Sequence, residues 1–255
     1  MNSKQKVRYF KSYDDDFFEN KPYTLPESYK WVRKDLVSRF LSCTIYALAF
    51  VFSSVYCRLF LHVKFKGAKK LRRQKGGFFL YGNHTMPIGD VFNPALAAFP
   101  KRIYTVVSTQ NMALKIIGKI LVYLGALPIP DSARQFRGFT EAVGERVSSG
   151  HPVVIYPEAH LWEYCTEIRP FTEGAFKFPI RFNKPVYSMT ATFQKSRLFK
   201  KPKVTIFIDG PFEAEGENAR KRAENLCKKV REQMIERSKN STYEYMRYQK
   251  QKGDL

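Results

Sequence analysis

The sequence predicts an α/β domain with a mostly parallel or mixed central sheet flanked by helices, preceded by an apolar, membrane-associated helical segment. Two observations predict the domain. Apolar runs of strand length recur between about residues 63 and 238, and stretches with helical periodicity separate them. A third observation predicts the segment, because no charged residue occurs from Phe40 to Cys57.

The elements are assigned in chain order from these patterns. The predicted strands are VKFKG (63–67), GGFFLYG (76–82), RIYTVV (102–107), GALPIP (125–130), PVVIY (152–156), PVYSMTATF (185–193) and KVTIFID (203–209). The predicted helices cover about 91–98, 112–124, 132–148 and 217–237. Gly150 is expected to help end the third helix.

The chain has 255 residues, enough for one domain with a substantial core or for one domain with an appendage. We divide it into a polar N-terminal segment with the apolar helix (1–62), an α/β domain (63–238) and a tail (239–255). The tail shows no clear apolar periodicity, and we expect it to fray or to touch lipid through its tyrosines.

The net charge of +21 predicts an acidic partner. Each Lys or Arg near an anionic membrane surface contributes on the order of 1 kcal/mol, so a few such residues keep a protein bound there. Nucleic acid is also anionic, but the sequence contains no zinc-finger spacing, aromatic RNA-binding signature or evident helix-turn-helix. We therefore expect an anionic membrane surface and no nucleic acid.

The apolar run from Phe40 to Cys57 covers about 27 Å as a helix, just short of the roughly 30 Å hydrocarbon core of a bilayer. It also contains several Ser, Thr and Tyr residues, which favours a helix lying in the interface over one that spans the membrane. The alternative is a buried core helix. The first 30 residues lack the pattern of a secretory signal, so we expect attachment to the cytoplasmic face.

Residues that could take part in catalysis come directly after predicted strands. YGNHTMPIGD (81–90) places His84 and Asp90 in a loop directly after an apolar strand, and a carboxylate near an imidazole fixes its tautomer and stabilises its protonated form. VVIYPE (153–158) again leads from a strand to a carboxylate, and IRPFTEGAFKFPI (168–180) precedes another strand. The three segments suggest one composite site, although a hydrogen-bonded loop pair is the simpler explanation of His84 and Asp90.

These segments resemble the glycerolipid acyltransferases, the lysophosphatidic acid acyltransferases and their relatives, over about residues 64–210. Asn83 and His84 fit the family signature N-H-x4-D, while Asp90 comes one residue late. Residues 156–158 fit the first three positions of F/Y-P-E-G-T-R, RPFTEGAF (169–176) resembles P-F-K-x-G-A-F, and PVYSMT (185–190) resembles the closing strand block.

The departures from this family share one feature, which is the loss of positively charged residues. Pro130, Leu161 and Thr172 stand where relatives carry cations for the acceptor's phosphate. Nearby cations are expected to substitute, because a guanidinium or ammonium group pairs well with phosphate oxygens. The candidates are Arg134, Arg169 and Lys177, with ordinary surface charges as the alternative for each.

The resemblance implies acyl transfer from a thioester of coenzyme A or acyl carrier protein to the hydroxyl of a lysophospholipid, above all 1-acylglycerol-3-phosphate, in phospholipid biosynthesis. His84 would be the general base and Asp90 would orient it, with Asn83 and Glu158 on the substrate side. Backbone N–H groups between residues 84 and 90 are candidate donors to the tetrahedral oxyanion. Neither a metal nor a cofactor is expected.

Two alternatives remain open. The first is a non-catalytic lipid-binding protein that kept the fold while its arginines were lost. The second is a metal-dependent hydrolase that uses His84, Asp90, Glu158 and His160 as ligands, although no short His-x3-His or Cys pairing supports a defined metal geometry. The four cysteines lie far apart, which favours reduced thiols.

Overall fold

The computed structural model describes residues 6–18, 21–113, 116–196 and 201–251. The strands are β1 (Lys6–Phe10), β2 (Val63–Lys66), β3 (Phe79–Gly82), β4 (Tyr104–Ser108), β5 (Ala126–Ile129), β6 (Val153–Ile155), β7 (Val186–Gln194), β8 (Lys203–Phe212) and β9 (Met246–Lys250). The helices are α1 (Leu36–Leu59), α2 (Lys69–Arg73), α3 (Gly89–Ala98), α4 (Ile117–Leu124), α5 (Ala133–Ser148), α6 (Lys177–Phe182) and α7 (Ala219–Ser238). Short 3-10 turns cover Thr109–Ala113 and Glu173–Phe176.

The central sheet has seven strands in the order β2-β8-β7-β3-β6-β4-β5. The pair β7 and β8 is antiparallel and every other neighbouring pair is parallel, so the predicted mixed α/β sheet is confirmed. β3 lies at the centre between β6 and β7, and its four residues are buried. Since parallel strands share a carboxyl edge, the loops that follow β3 and β6 meet there.

Helices cover both faces of this sheet. On one face, side chains of β3, β7 and β8 pack with Cys57 of α1, Leu71 of α2 and the alanines of α3. On the other face, α5 and α7 contribute Val143 and Val230 to a second buried cluster. This three-layer arrangement buries apolar side chains on both sides of the central strands, which is why those strands read as continuous apolar runs.

The helix of 132–148 is present as predicted in α5. Ser132 caps it by accepting the N–H of Gln135 at 3.3 Å, and Gly150 adopts a φ of +89° just beyond its end. The helix predicted over 112–124 is shorter, because a 3-10 turn occupies 109–113 and α4 begins at Ile117; residues 114 and 115 lie outside the described part of the chain.

The expectation of a frayed tail was wrong for the described residues up to 251. Residues 246–250 form β9, which pairs in parallel with β1 and joins the two ends of the chain. Met246 is buried and the ring of Tyr248 stacks on Trp162. Two inward positions at a spacing of two form a pattern too short to be recognised as a strand in the sequence.

One side of α1 packs against the α/β domain. The Ser42 hydroxyl donates to the Tyr123 carbonyl at 2.8 Å, the Tyr46 hydroxyl accepts the N–H of Ile103 at 3.2 Å, and Phe50 stacks on Phe99. In the described residues α1 is the one helix long and apolar enough to cross a membrane, and only 11% of its most apolar window is buried, so most of that window is not covered by the domain. Its outward side chains include Leu36, Val37, Phe40, Leu48, Val51 and Phe52.

Candidate active site

His84 and Asp90 form a hydrogen-bonded pair at the carboxyl edge of the sheet. His84 lies in the loop after β3, and Asp90 lies in the first turn of α3; His84 Nδ1 and Asp90 Oδ2 are 2.8 Å apart. The same carboxylate oxygen accepts the N–H groups of Thr85 and Met86, each at 2.9 Å. Three donors therefore fix a carboxylate that is 5% exposed, while the imidazole is 25% exposed.

The extra residue between His84 and Asp90 is absorbed by a turn. The N–H of Asp90 donates to the Met86 carbonyl at 2.9 Å, and the intervening Ile88 side chain points outward. Gly89 packs so closely that a Cβ there would lie 2.6 Å from Met86 Cε and 2.8 Å from Asn93 Nδ2. The absence of a side chain at Gly89 lets the loop close, so the later position of Asp90 preserves the pair.

Tyr156 fixes the other side of the imidazole. Its ring stacks on the His84 ring with the centroids 4.6 Å apart, and its hydroxyl donates to the Asp90 carbonyl at 2.6 Å. Burial, together with the negative charge of Asp90, raises the pKa of Tyr156 well above its usual value, so the phenol stays protonated and donates. Gly82 leaves room for this ring, since a Cβ there would lie 2.6 Å from Tyr156 Cε1.

Glu158 connects the loop after β6 to the histidine. Its side chain is fully buried; Oε2 accepts the N–H of His84 at 3.0 Å and Oε1 accepts the N–H of Arg169 at 3.0 Å. The Arg169 guanidinium donates to Oε2 at 2.8 Å. The structure thus brings together the three segments that the sequence suggested, but Glu158 meets the protein backbone and a buried cation.

Arg169 does not fit the predicted contact with a phosphate. Its side chain is 1% exposed, and besides pairing with Glu158 it donates to the carbonyls of His84, at 3.4 Å, and His160. Its guanidinium also lies over the ring of Trp162, 4.7 Å from the centroid. The burial and the internal bonds of Arg169 therefore correct that prediction and give the side chain a structural place beneath the loop.

Asn83 is corrected for a similar reason. The residue is buried, and its amide donates to the Ala191 carbonyl at 3.1 Å while accepting the Ala191 N–H at 2.8 Å. Both functional groups of the side chain are therefore used to attach the end of β3 to β7. The residue holds the start of the loop in place without offering a polar atom to a substrate.

The other two predicted cations lie at the surface. The Arg134 side chain, just inside α5, is 88% exposed and 3.9 Å from the carboxylate of Glu27. It follows β5, three strands away from β3, a lateral distance of about 14 Å. Lys177 is exposed at the start of α6, and the segment before it is held to the site by the N–H of Thr172, which donates to the Pro157 carbonyl at 2.8 Å.

Several of the backbone N–H groups predicted to stabilise the oxyanion already donate to other acceptors. Within the loop, the N–H groups of His84, Thr85 and Met86 already donate to buried carboxylates. These three groups therefore orient the loop and do not point at a reacting oxygen. The amides are used in this way because a buried carboxylate without hydrogen-bond donors is costly, and these amides are the nearest donors.

The site does not resemble a metal centre or a cysteine nucleophile. Among the described residues, no group of three or more His, Cys, Asp and Glu side chains is arranged to hold a metal ion. Glu158, a ligand in the hydrolase alternative, is committed to Arg169 and to two backbone amides. Cys165 is buried, and burial raises the pKa of its thiol to about 12, which leaves it protonated and unreactive at neutral pH.

Sequence reasoning missed the roles of Tyr156, Ala159 and Trp162. Tyr156 occupies the aromatic position of the second motif, which was a usable signal. Ala159 stands where the family pattern has glycine, and it adopts a φ of +63°, a conformation that glycine takes without cost. Trp162 is 1% exposed, and its contacts come from both ends of the chain, which no local pattern encodes.

A cavity of about 280 Å³ adjoins the loop between His84 and Asp90. Its floor is formed by residues 86–89, and one wall comes from Tyr56 and Leu61, at and just beyond the end of α1. Lys6 and Lys201 also line it. The cavity therefore joins the candidate site to the apolar helix, and it is lined by two cations and by Glu163, whose carboxylate is 3.7 Å from Arg8.

Comparison with known proteins indicates the family and the fold of the chain. The family model described as acyltransferase matches residues 62–192, half of the chain. The fold is similar to that of the crystal structure of the 1-acyl-sn-glycerophosphate (LPA) acyltransferase PlsC from Thermotoga maritima, with a TM-score of 0.54, 15% identity, and coverage of 84% of this chain and 86% of that chain. No curated protein sequence matches the chain.

Proposed function

The chain belongs to the acyltransferase family, and we propose that it moves a fatty acyl group from acyl-CoA or an acyl carrier protein to the hydroxyl of a lysophospholipid, with 1-acylglycerol-3-phosphate as the first acceptor to test. The observation that carries this proposal is the 2.8 Å pair of His84 and Asp90 at the carboxyl edge of the sheet. The fold shared with an LPA acyltransferase supports the choice of acceptor class.

The geometry suits general base catalysis. With Nδ1 donating to Asp90, the neutral imidazole carries its lone pair on Nε2, on a ring that is a quarter exposed. Nε2 takes the proton as the acceptor's oxygen attacks the thioester carbonyl. When the tetrahedral intermediate collapses, the C–S bond breaks and the thiolate recovers that proton from the imidazolium. Asp90 stabilises the cation between these two steps.

A lipid acceptor requires contact with a membrane, and α1 supports attachment in the plane of the interface. Its polar side chains Ser42 and Tyr46 face the domain, while Phe40, Leu48 and Phe52 point outward. A helix of 24 residues is about 36 Å long, and its contacts with the domain at Ser42, Tyr46 and Cys57 favour a position in the plane of the interface over a crossing of the bilayer. We therefore propose a monotopic enzyme on the cytoplasmic face of an anionic membrane.

The acceptor's phosphate needs cations that the motif positions do not supply. Of the predicted set, Lys177 remains exposed on a segment held to Pro157 by the Thr172 amide. Lys6 and Lys201 line the cavity beside the loop and offer a second pair of ammonium groups. A lysine binds phosphate as a point charge, so this set favours an anionic head group without fixing its shape.

The test is acceptor-dependent release of thiol by the wild-type protein in the presence of membranes. Long-chain acyl-CoA and acyl carrier protein are each supplied with glycerol 3-phosphate, 1-acylglycerol-3-phosphate or neutral lysophospholipids, and the acylated lipid is identified by mass spectrometry. The proposal predicts release with a phosphate-bearing lysolipid. Protein that binds liposomes but releases no thiol with any pair would instead support the lipid-binding alternative.

A further inference from the structure

The small sheet formed by the two ends of the chain lies against the candidate active site. β1 and β9 pair from Lys6 with Met246 to Phe10 with Lys250. Between this pair and the loop of His84 lies the segment 160–165, which follows Glu158. We call the pair and this segment together the terminal brace. None of its residues belongs to the His84 and Asp90 pair, yet the segment contacts the backbone of that loop directly.

Trp162 is the centre of the terminal brace. Its backbone N–H donates to the His84 carbonyl at 3.0 Å, and its indole Nε1 donates to the Asp15 carbonyl at 2.9 Å. The ring lies among aromatic side chains from both ends of the chain, with centroid distances of 4.8 Å to Phe10, 5.2 Å to Phe17 and 4.8 Å to Tyr248. One residue thus ties the histidine's backbone to the terminal strands.

Tyr164, two residues after Trp162, makes a second connection between the loop of His84 and the C-terminal part of the chain. Its N–H donates to the Thr85 carbonyl at 2.8 Å, and its ring packs edge-on against Tyr245, with the centroids 4.8 Å apart. The Tyr248 hydroxyl donates to the carbonyl of Glu163, the residue between the two aromatics, at 3.0 Å. The carbonyls of His84 and of Thr85 are therefore both held by the segment that β9 supports.

The backbone of this segment is strained, which makes the outside support necessary. Tyr164 within the segment and Ala159 just before it have φ values of +56° and +63°, in the left-handed region that residues with a Cβ rarely adopt. Such conformations persist only when the surroundings hold them. The buried aromatic contacts of Trp162 and Tyr248 are the surroundings that do so here.

We propose that Trp162 is a positioning residue for His84, held by the terminal strands so that the imidazole stays in register with Asp90 and the substrate. The proposal rests on the acyl transfer proposed above and adds a residue outside the family motifs. A reacting group displaced by about 1 Å loses roughly 10²-fold in rate. Loss of the brace therefore lowers kcat; KM for the acceptor rises as well, since Lys6 of β1 lines the cavity beside the loop.

The test compares Trp162→Ala and Trp162→Phe with Val230→Ala. Val230 is fully buried in α7, on the opposite face of the sheet from α1, so its truncation destabilises the fold without touching the brace. We expect kcat to fall about 10²-fold in Trp162→Ala, to recover largely in Trp162→Phe, and to stay near wild type in Val230→Ala. Equal kcat losses in Trp162→Ala and Val230→Ala would overturn the proposal.

A second readout does not depend on activity. Diethyl pyrocarbonate modification is followed at His84 and at His151 by peptide mass spectrometry, on folded protein. Trp162→Ala is expected to raise the rate at His84 severalfold and to leave His151 unchanged, and an unchanged rate at His84 would overturn the proposal even if that variant unfolds more easily. Tyr248→Phe, which removes the hydroxyl that donates to the Glu163 carbonyl and also interacts with Arg8, gives a milder shift in the same direction. Absence of acyl transfer by the wild type would refute the function but not this result.

Discussion

The buried carboxylate of Glu158 accepts the backbone N–H of His84 at 3.0 Å, so the acidic residue of the second motif acts on the histidine through its main chain. The same side chain neutralises Arg169, which in turn donates to the His84 carbonyl. Both sides of the His84 peptide are therefore bonded to one buried ion pair. Glu158 therefore supports the loop of the His84 and Asp90 pair, and its carboxylate is used within the protein.

Replacing Glu158 by Gln should destabilise the fold strongly. The substitution leaves the Arg169 guanidinium as an uncompensated charge in a site that is 1% exposed, and breaking a buried pair costs about 3–5 kcal/mol. Urea unfolding followed by circular dichroism measures the loss. Glu141→Gln removes a carboxylate from an exposed pair with Arg137 and should cost less than about 1 kcal/mol; equal losses would show that Glu158 is not a buried partner.

The outward face of α1 should determine binding to lipid. Leu48 and Val51 are 67% and 62% exposed on that face, and a buried side chain of this kind contributes about 1.5–3 kcal/mol. The double substitution Leu48→Glu and Val51→Glu is expected to weaken sedimentation with anionic liposomes by about tenfold or more. Phe136→Glu, on α5 across the sheet, is the control. Unchanged binding by the α1 variant would place the membrane contact elsewhere.

Replacing Ala159 by glycine should stabilise the fold. Its φ of +63° is unfavourable for alanine by about 1–2 kcal/mol, and the greater freedom of glycine in the unfolded chain offsets about half of that gain. We expect Ala159→Gly to raise the free energy of unfolding by up to about 1 kcal/mol. Ala219→Gly, at the start of α7, should lower it by a few tenths of a kcal/mol or more. A lower free energy of unfolding in both variants would contradict the inference that the backbone at Ala159 is strained.

Much of the fold was predictable because the central strands are apolar on both faces and Ser132 and Gly150 mark the ends of α5. His84 and Asp90 were expected from the resemblance to N-H-x4-D although Asp90 comes one residue late, and the turn from Met86 to Asp90 that brings them together was not predicted. The buried states of Asn83 and Arg169 were not, because a polar residue next to a motif looks the same in sequence whether it meets a substrate or a neighbouring strand. The terminal strands were missed because their partners lie at opposite ends of the chain.

The stability of the protein should fall in mild acid partly through His151. Burial, with the nearby positive charges of Arg146 and Arg102 adding to it, lowers the pKa of this imidazole below its ordinary value. The folded state therefore binds fewer protons than the unfolded chain just below pH 6.5, and stability is lost as the pH falls through that window. Urea unfolding at pH 7 and pH 5 should show a smaller loss for His151→Gln than for wild type. An identical loss would exclude this residue as a contributor.

The most direct test of the account is the rate of thiol release from long-chain acyl-CoA with 1-acylglycerol-3-phosphate on membranes, for wild type, His84→Ala, Asp90→Asn and His151→Ala. His151 precedes β6, at the edge of the sheet away from the candidate site, and serves as a matched control. Loss of the general base should reduce the rate by about 10²–10⁴-fold, Asp90→Asn should reduce it by a comparable or smaller factor, and His151→Ala should leave it unchanged. Wild-type rates in folded His84→Ala protein would contradict the assignment of His84 as the base.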